Sequence, residues 1–191
     1  MIIGIAYLLV LLSVPLARGR LGALADLQLR APGLALAAIL VQIVVISILP
    51  SGDHTIHTAL HIGSYVLLGA FAFANRRIVG VPIIAVGGLS NFVAIAANGG
   101  VMPTAPSAAA SVGHKAAAGD FINSRPMDDA HVQFLGDVFA TPAGWPLHNV
   151  FSIGDLVLLI GVFVLVHTAC GSRAAFWSSR SRRAALRSAT A

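Results

Sequence analysis

A group of histidines beside an aspartate contains the residues of this chain best suited to binding a metal ion. Asp53, His54, His57 and His61 follow one another closely. On a helix, His57 and His61 share one face because they are spaced i, i+4. Imidazole nitrogens and carboxylate oxygens bind divalent metals, so Asp53 or His54 could join the two histidines, and His148 could supply a further ligand. A pair formed by His61 and His148 would also suit haem iron.

The alternative interpretation is that these histidines are polar residues at a membrane surface. The chain has a single cysteine, Cys170, and therefore lacks the cysteine spacings that are common in metal sites. The sequence favours this alternative over a metal or haem site at Asp53, His57, His61 and His148. Under this alternative interpretation, the protein needs neither a metal ion nor haem.

Polar and small residues at a second set of positions are suited to binding a small molecule. Gln42 and Asn91 fall in the middle of apolar segments, and the sequence Asn98-Gly99-Gly100 favours a tight turn with positive φ. Such a turn can bring backbone close to a ligand. The full candidate set is Gln42, Asn91, Asn98, Gly99, Gly100, Met102 and Asp155.

Each of these positions also has a structural interpretation. The Asn-Gly-Gly turn can simply end a helix, and Gln42 and Asn91 can join helices through hydrogen bonds worth about 0.6 kcal/mol on average. Ser152 and Asp155 have the spacing of a capping box, in which both side chains accept a hydrogen bond from a backbone N–H group. The sequence favours this role for Asp155 over proton or cation binding.

The composition is typical of a membrane protein. The chain of 191 residues is 57% hydrophobic and 10% charged, whereas a soluble domain is about 25% charged. Its isoelectric point near 10.7 would also suit a nucleic-acid-binding protein. We exclude that class because the arginines lie between apolar segments, where anionic lipid headgroups are the natural partners.

Five apolar segments have, or nearly have, the length of a membrane-spanning helix, which needs about 20 residues. They cover residues 2–17, 33–49, 56–74, 78–97 and 153–169. We therefore predict an all-α bundle of five transmembrane helices in a single membrane domain, residues 1–170. The first segment is predicted to be a retained helix and not a signal peptide, because Arg18 and Arg20 follow it and no basic residue precedes it.

Clustered arginines predict which ends of these helices face the cytoplasm. Ten of the basic residues lie in three groups, namely Arg18, Arg20 and Arg30, then Arg76 and Arg77, then Arg173, Arg180, Arg182, Arg183 and Arg187. Positive charge marks cytoplasmic loops. The N-terminus is therefore predicted outside, and the basic tail at 171–191 inside. His167 is expected to be wetted at the inner end of the fifth segment.

The long outer loop, residues 98–151, is predicted to have two halves. Residues 104–118 are rich in Ala, Ser and Pro and are expected to be loose. His131 to Phe139 is predicted to form a short helix that either lies on the outer leaflet or folds over the bundle as a lid, and Trp145 suits an interfacial anchor.

Short polar and glycine-containing pieces are spread over most of the chain. They are Gly19 to Arg30, Gln42, Asn91, Asn98 to Pro103, Leu135 to Phe139 and Asn149 to Asp155. Together they resemble an uncharacterised family of small bacterial membrane proteins that is known only as a domain of unknown function. The resemblance implies a bacterial inner-membrane protein without implying an activity. Residues 107–118 and the basic tail do not match the family pattern.

These observations lead to three expectations for function. The first is a non-catalytic accessory subunit of a larger membrane complex, or a protein that associates with itself, in the bacterial plasma membrane. The second is a small-molecule or lipid-binding protein, or a permease, with an outward-facing pocket. The third is a membrane metalloprotein or haem-redox protein that uses the histidines near the third segment.

Overall fold

The computed structural model of the chain describes residues 2–48, 54–112, 124–142 and 148–175, and this part is mostly helical. Its α-helices are α1 (Ile2–Leu16), α2 (Pro32–Ile43), α3 (His54–Ala74), α4 (Val81–Ala97), α5 (Pro106–Val112) and α6 (Ile153–Ala169). Its strands are β1 (Met102–Thr104), β2 (Ser124–Pro126), β3 (Asp137–Ala140) and β4 (Val150–Ser152). A π-helical turn, Val44–Ile48, continues α2. The five longer helices overlap the five predicted apolar segments. That all five cross a membrane stays a prediction.

Local sequence signals explain where several helices begin. Pro32 and Pro82 lie in the first turns of α2 and α4, where the missing N–H group of proline has no intrahelical partner to lose. Gly80 precedes α4 with a φ of 96°, a conformation that favours glycine. The predicted capping box of Ser152 and Asp155 is present at the start of α6.

One helical stretch is both long and apolar enough to cross a membrane. It is Thr55–Ala74, within α3. The other apolar helices of the described part are shorter, at 10–17 residues each, and cover Ile2–Leu16, Pro32–Ile46, Val81–Ala97 and Ile153–Ala169.

The longer helices pack in the order α2, α3, α4, α6, α1. Glycines bring the backbones of α4 and α6 together. A Cβ atom added to Gly87 would lie 2.7 Å from the carbonyl oxygen of Gly154, and one added to Gly161 would lie 2.6 Å from the amide nitrogen of Ile84. Gly154 and Gly161 are seven residues apart, which is about two helical turns, so both lie on the α6 face that contacts α4.

The outer loop contains a small mixed sheet, and the prediction of an all-α fold is wrong for this part of the chain. The strand order is β2-β1-β3-β4. Strand β1 is parallel to β2 and β3, and β3 is antiparallel to β4. Because β4 runs directly into α6, the sheet is continuous with the helical bundle.

The predicted lid helix at 131–139 is absent. Val132 has a positive φ of 47°, Gln133–Leu135 form a single 3-10 turn, and Asp137 begins β3. The turn ends at Gly136, whose backbone is extended, with a φ of -79° and a ψ of -168°. The apolar pattern of this segment arises from one turn followed by a strand.

The predicted loose half of the loop is also partly wrong, because residues 106–112 form α5. Residues 113–118 lie outside the described residues. So do Asp53, Trp145 and the tail beyond residue 175.

Hydrogen bonds between backbones bring the basic loops to one end of the bundle, which we call the inner end. Arg20 N–H donates to the Cys170 carbonyl at 3.0 Å, and Arg173 N–H donates to the Ala17 carbonyl at 2.9 Å. Residues 17–31, which join α1 to α2 and which we call the inner loop, are also attached to the end of α3. There the Arg30 N–H donates to the Asn75 side chain at 2.8 Å. The sheet lies at the opposite, outer end.

Adjacent glycines of α4 offer a test of the contact with α6. The Gly87→Ala substitution places a methyl group against backbone and should lower the free energy of unfolding by about 1–3 kcal/mol. Gly88→Ala adds the same atom where nothing lies within 4 Å, so it should be neutral or raise stability by up to about 1 kcal/mol through helix propensity. Thermal unfolding of the two variants in one mild detergent checks this. Equal losses in both would show that the contact is not tight.

Candidate functional site

The polar residues at the outer end form hydrogen-bond networks that join the sheet to the helices. The first network contains Asn91 of α4 with Ser152 and Asp155 at the start of α6. Asn91 Nδ2 donates to Asp155 Oδ1 at 2.9 Å, and the Ser152 hydroxyl donates to Asn91 Oδ1 at 2.9 Å. The Asp155 N–H donates to Ser152 Oγ, and the Ser152 N–H donates to Asp155 Oδ2, both at 3.0 Å.

This first network is closed, and its geometry limits what it can do chemically. Ser152 is fully buried, and the proton of its hydroxyl is directed at Asn91. The hydroxyl is therefore neither accessible to a substrate nor hydrogen-bonded to a general base, which an activated serine requires. Both Asp155 oxygens accept from neighbouring donors, and the carboxylate lies at the positive end of the α6 dipole. The arrangement stabilises the start of α6 and fixes it against α4.

A second network surrounds the Asn-Gly-Gly turn. Gly99 and Gly100 have φ values of 69° and 87°. Thr58 Oγ1 donates to the Gly99 carbonyl at 3.1 Å, and His61 Nδ1 lies 2.8 Å from the Gly100 carbonyl. Since a carbonyl oxygen only accepts, His61 carries a proton on Nδ1. The turn after α4 is therefore held by the first turns of α3.

Asn98 attaches the loop to the end of α4. Its Nδ2 donates to the Ala94 and His131 carbonyls at 2.7 and 2.8 Å, and its Oδ1 accepts from the His131 N–H at 2.9 Å. One side-chain amide thus satisfies both backbone groups of His131.

Gln42 connects α2 to the same region. Its Nε2 donates to Ser64 Oγ at 2.9 Å, and the Ser64 hydroxyl donates to the His61 carbonyl at 2.6 Å. Met102, the remaining member of the predicted ligand set, is buried with Ala94 and Ile95. All members of that set are thus found near the outer half of the bundle, in contacts within the protein.

The predicted metal site is not assembled by the residues that the structure describes. Among them, no group of three or more His, Cys or Asp side chains is placed to hold a metal ion. His57 and His61 are buried, whereas His148 is exposed. Asp53 lies outside the described residues, so a site that includes it stays a prediction.

A buried carboxylate at the centre of the sheet was missed by sequence reasoning. Asp137 is 6% exposed and accepts from the Ser124 hydroxyl at 2.6 Å, while Thr104 Oγ1 lies 2.5 Å from Ser124 Oγ. Because Ser124 directs its proton at Asp137, Thr104 is the donor in the second bond. Asp137 also pairs with Ser152 across β3 and β4, which places it beside the first network.

His167 was expected to be wetted, and this prediction is wrong. It is 1% exposed, with Nε2 3.0 Å from Ser13 Oγ and Nδ1 2.6 Å from Ser172 Oγ. The Ser13 proton is directed at the Val10 carbonyl, so His167 donates from Nε2 to Ser13, and its Nδ1 is hydrogen-bonded to the Ser172 hydroxyl. The histidine thus joins α1 to α6.

Two neighbouring residues of α4 test whether the first network stabilises the fold. Asn91→Ala removes the partner of both Ser152 and Asp155 and should cost about 2–3 kcal/mol of unfolding free energy. Asn91→Asp replaces a donor by a second carboxylate and should cost more at neutral pH. Ser90 is the control, because its Oγ is buried without a hydrogen-bond partner, so Ser90→Ala should be neutral or stabilising. Equal stability of the Asn91 and Ser90 variants would contradict the role given to Asn91.

Comparison with known proteins identifies a family for the chain without adding an activity. No curated protein and no solved structure gives a significant match to the chain. The family model described as Family of unknown function (DUF5317) matches residues 26–167. The matched region contains α2 to α5, α6 up to His167, the sheet and both outer networks. Because this match covers most of the chain, the protein belongs to the DUF5317 family of unknown function.

Proposed function

We propose that this chain is a non-catalytic, five-span protein of the bacterial plasma membrane that serves as an accessory subunit of a larger membrane complex. Large apolar side chains remain exposed on every one of its longer helices, and this observation carries the membrane part of the proposal. One example from each helix is more than half exposed: Leu12 in α1, Leu36 in α2, Val66 in α3, Leu89 in α4 and Ile160 in α6. The free energy of such a side chain is about 1.5–3 kcal/mol less favourable in water than when it is buried.

The exposed apolar side chains are better explained by contact with lipid than by a soluble fold in water. Only 11% of the apolar stretch in α3 is buried within the protein, whereas the central helix of a soluble domain is mostly covered. The shorter helices, at 15 and 17 residues, are about 22–25 Å long at 1.5 Å per residue. The hydrocarbon core is about 30 Å thick, so these helices suit little tilt and local thinning of the bilayer.

The distribution of charge supports an orientation with the N-terminus outside. The arginines of the described part lie at the inner end except for Arg125, which is in β2 at the outer end. Asp128, Asp129 and Asp137 accompany it there. An excess of basic residues on one side is typical of the cytoplasmic face.

The closed networks support a structural role. Polar groups that could have lined an outward-facing pocket, among them Asn91, Asn98 and Asp155, hydrogen-bond to each other or to backbone. Their donors and acceptors hold the sheet on the bundle. Three glycines of α3 and α4, Gly63, Gly69 and Gly88, have open space beside them. Small residues of this kind let another membrane helix approach closely.

Cysteine accessibility tests the proposed topology. In a Cys170→Ala background, Asp129→Cys should react with a membrane-impermeant maleimide in intact spheroplasts. Asp26→Cys should react only after permeabilisation. Both aspartates are exposed, so neither result can be attributed to burial. The reverse labelling pattern would overturn the orientation. Labelling of both sites in intact spheroplasts would contradict the proposed three spans, α2, α3 and α4, between the two sites.

Purification of the tagged full chain in mild detergent tests the role as a subunit. We expect one or more membrane proteins to co-purify in fixed stoichiometry by native mass spectrometry, because open glycines on α3 and α4 allow other helices to pack closely against them. An unrelated five-span protein with the same tag is the control. A homogeneous monomer with no specific partner, obtained also after cross-linking in the membrane, would contradict the accessory role.

A further inference from the structure

A small basic pocket lies at the inner end, between the inner loop and the turn that joins α3 to α4. Gln28 and Arg30 line it from the loop, and Asn75, Arg76 and Arg77 line it from the turn. Its volume is about 160 Å³. Organic ligands and cofactors usually occupy about 300–1,000 Å³, so this pocket suits a single small group.

One wall of the pocket is held in place by Asn75, which fixes the inner loop against the end of α3. Asn75 Oδ1 accepts from the Arg30 N–H at 2.8 Å, and Nδ2 donates to the Arg30 and Phe71 carbonyls at 2.9 and 2.8 Å. Asn75 is 2% exposed. Its amide therefore places Arg30 next to the arginines of the turn.

The three arginines of the pocket have no acidic residue beside them in its lining, within the part of the chain that the structure describes. Arg76 donates to the Phe73 carbonyl at 2.9 Å and lies 4.2 Å above the centre of the Phe73 ring, contacts that hold its guanidinium without cancelling its charge. Helix C-termini attract basic residues in any case, but that effect accounts for Arg76 and Arg77 and not for Arg30, which a separate loop supplies.

Guanidinium groups bind phosphate oxygens through paired N–H donors, and Gln28 adds a neutral amide. We propose that this pocket binds one phosphate group, either as the headgroup of an anionic phospholipid or as free inorganic phosphate. The pocket itself does not depend on the proposed subunit role. The lipid source rests on the membrane placement, which would put the inner end of α3 at the level of the cytoplasmic headgroups.

The test compares two double variants that each remove two positive charges from the inner end. Arg30→Gln with Arg77→Gln changes the pocket, whereas Arg20→Gln with Arg173→Gln changes exposed arginines that do not line it. The full chain is purified in a neutral detergent and titrated calorimetrically with inorganic phosphate. In parallel, it is reconstituted in nanodiscs of phosphatidylcholine with increasing phosphatidic acid or phosphatidylglycerol, and bound lipid is counted by native mass spectrometry.

We expect the pocket variant to lose about tenfold or more in affinity, as expected when charge-assisted hydrogen bonds are removed, and the control variant to change less than about threefold. Loss in the phosphate titration identifies free phosphate as a ligand, and loss confined to the nanodiscs identifies a lipid headgroup. Equal weakening in both variants would show diffuse attraction and overturn the proposal, as would absence of binding in both assays.

Melting curves confirm that each variant is folded. A further double variant, Arg30→Lys with Arg77→Lys, keeps the charge but should still bind several-fold more weakly than the native chain. Neither readout depends on partner subunits, so this proposal and the accessory role can fail separately.

Discussion

The backbones of α4 and α6 touch at glycine, and most of the outer end depends on this contact. Any side chain at Gly154 would overlap the Asn91 amide oxygen, and any side chain at Gly87 would meet the Gly154 carbonyl. Because both positions lack a Cβ atom, Asn91 reaches the first turn of α6 and bonds to Ser152 and Asp155. Ser152 then pairs with Asp137 in β3. The position of the sheet above the helices thus follows from the absence of side chains at two places.

Much of the helical part of this arrangement is predictable from sequence. Apolar segments of helical length, the prolines that begin α2 and α4, and the serine-aspartate capping box are local signals. The Asn-Gly-Gly turn is also local, and it occurs where the pattern indicates. The pattern does not indicate that Thr58 and His61, which lie about 40 positions earlier in the chain, form hydrogen bonds with the carbonyls of this turn.

The sheet was not predictable, for physical reasons that apply to each strand. Strands of three or four residues are too short to show alternation, and β1 is paired with β2 and β3 across long separations in sequence. Asp137 looks like a surface residue in sequence because its partners, Ser124 and Thr104, are brought to it only by that pairing. The burial of His167 was not predictable for the same reason. Ser13, which accepts a hydrogen bond from His167, lies at the other end of the chain.

In several hydrogen bonds between the loops and the helices, a side chain on a helix or at its end binds a backbone group of a loop, and we call the loop residue the receiving position. Asn98 binds the N–H and carbonyl of His131, Asn75 binds the N–H and carbonyl of Arg30, and His61 binds the carbonyl of Gly100. Every amino acid except proline offers the same two groups. The side chains at His131 and Arg30 can therefore change without loosening the attachment, whereas Gly100 is fixed by its positive φ of 87° and by the close approach of Thr58. The inner and outer surfaces of this protein can vary in chemistry while a small number of asparagines and histidines keep the fold constant.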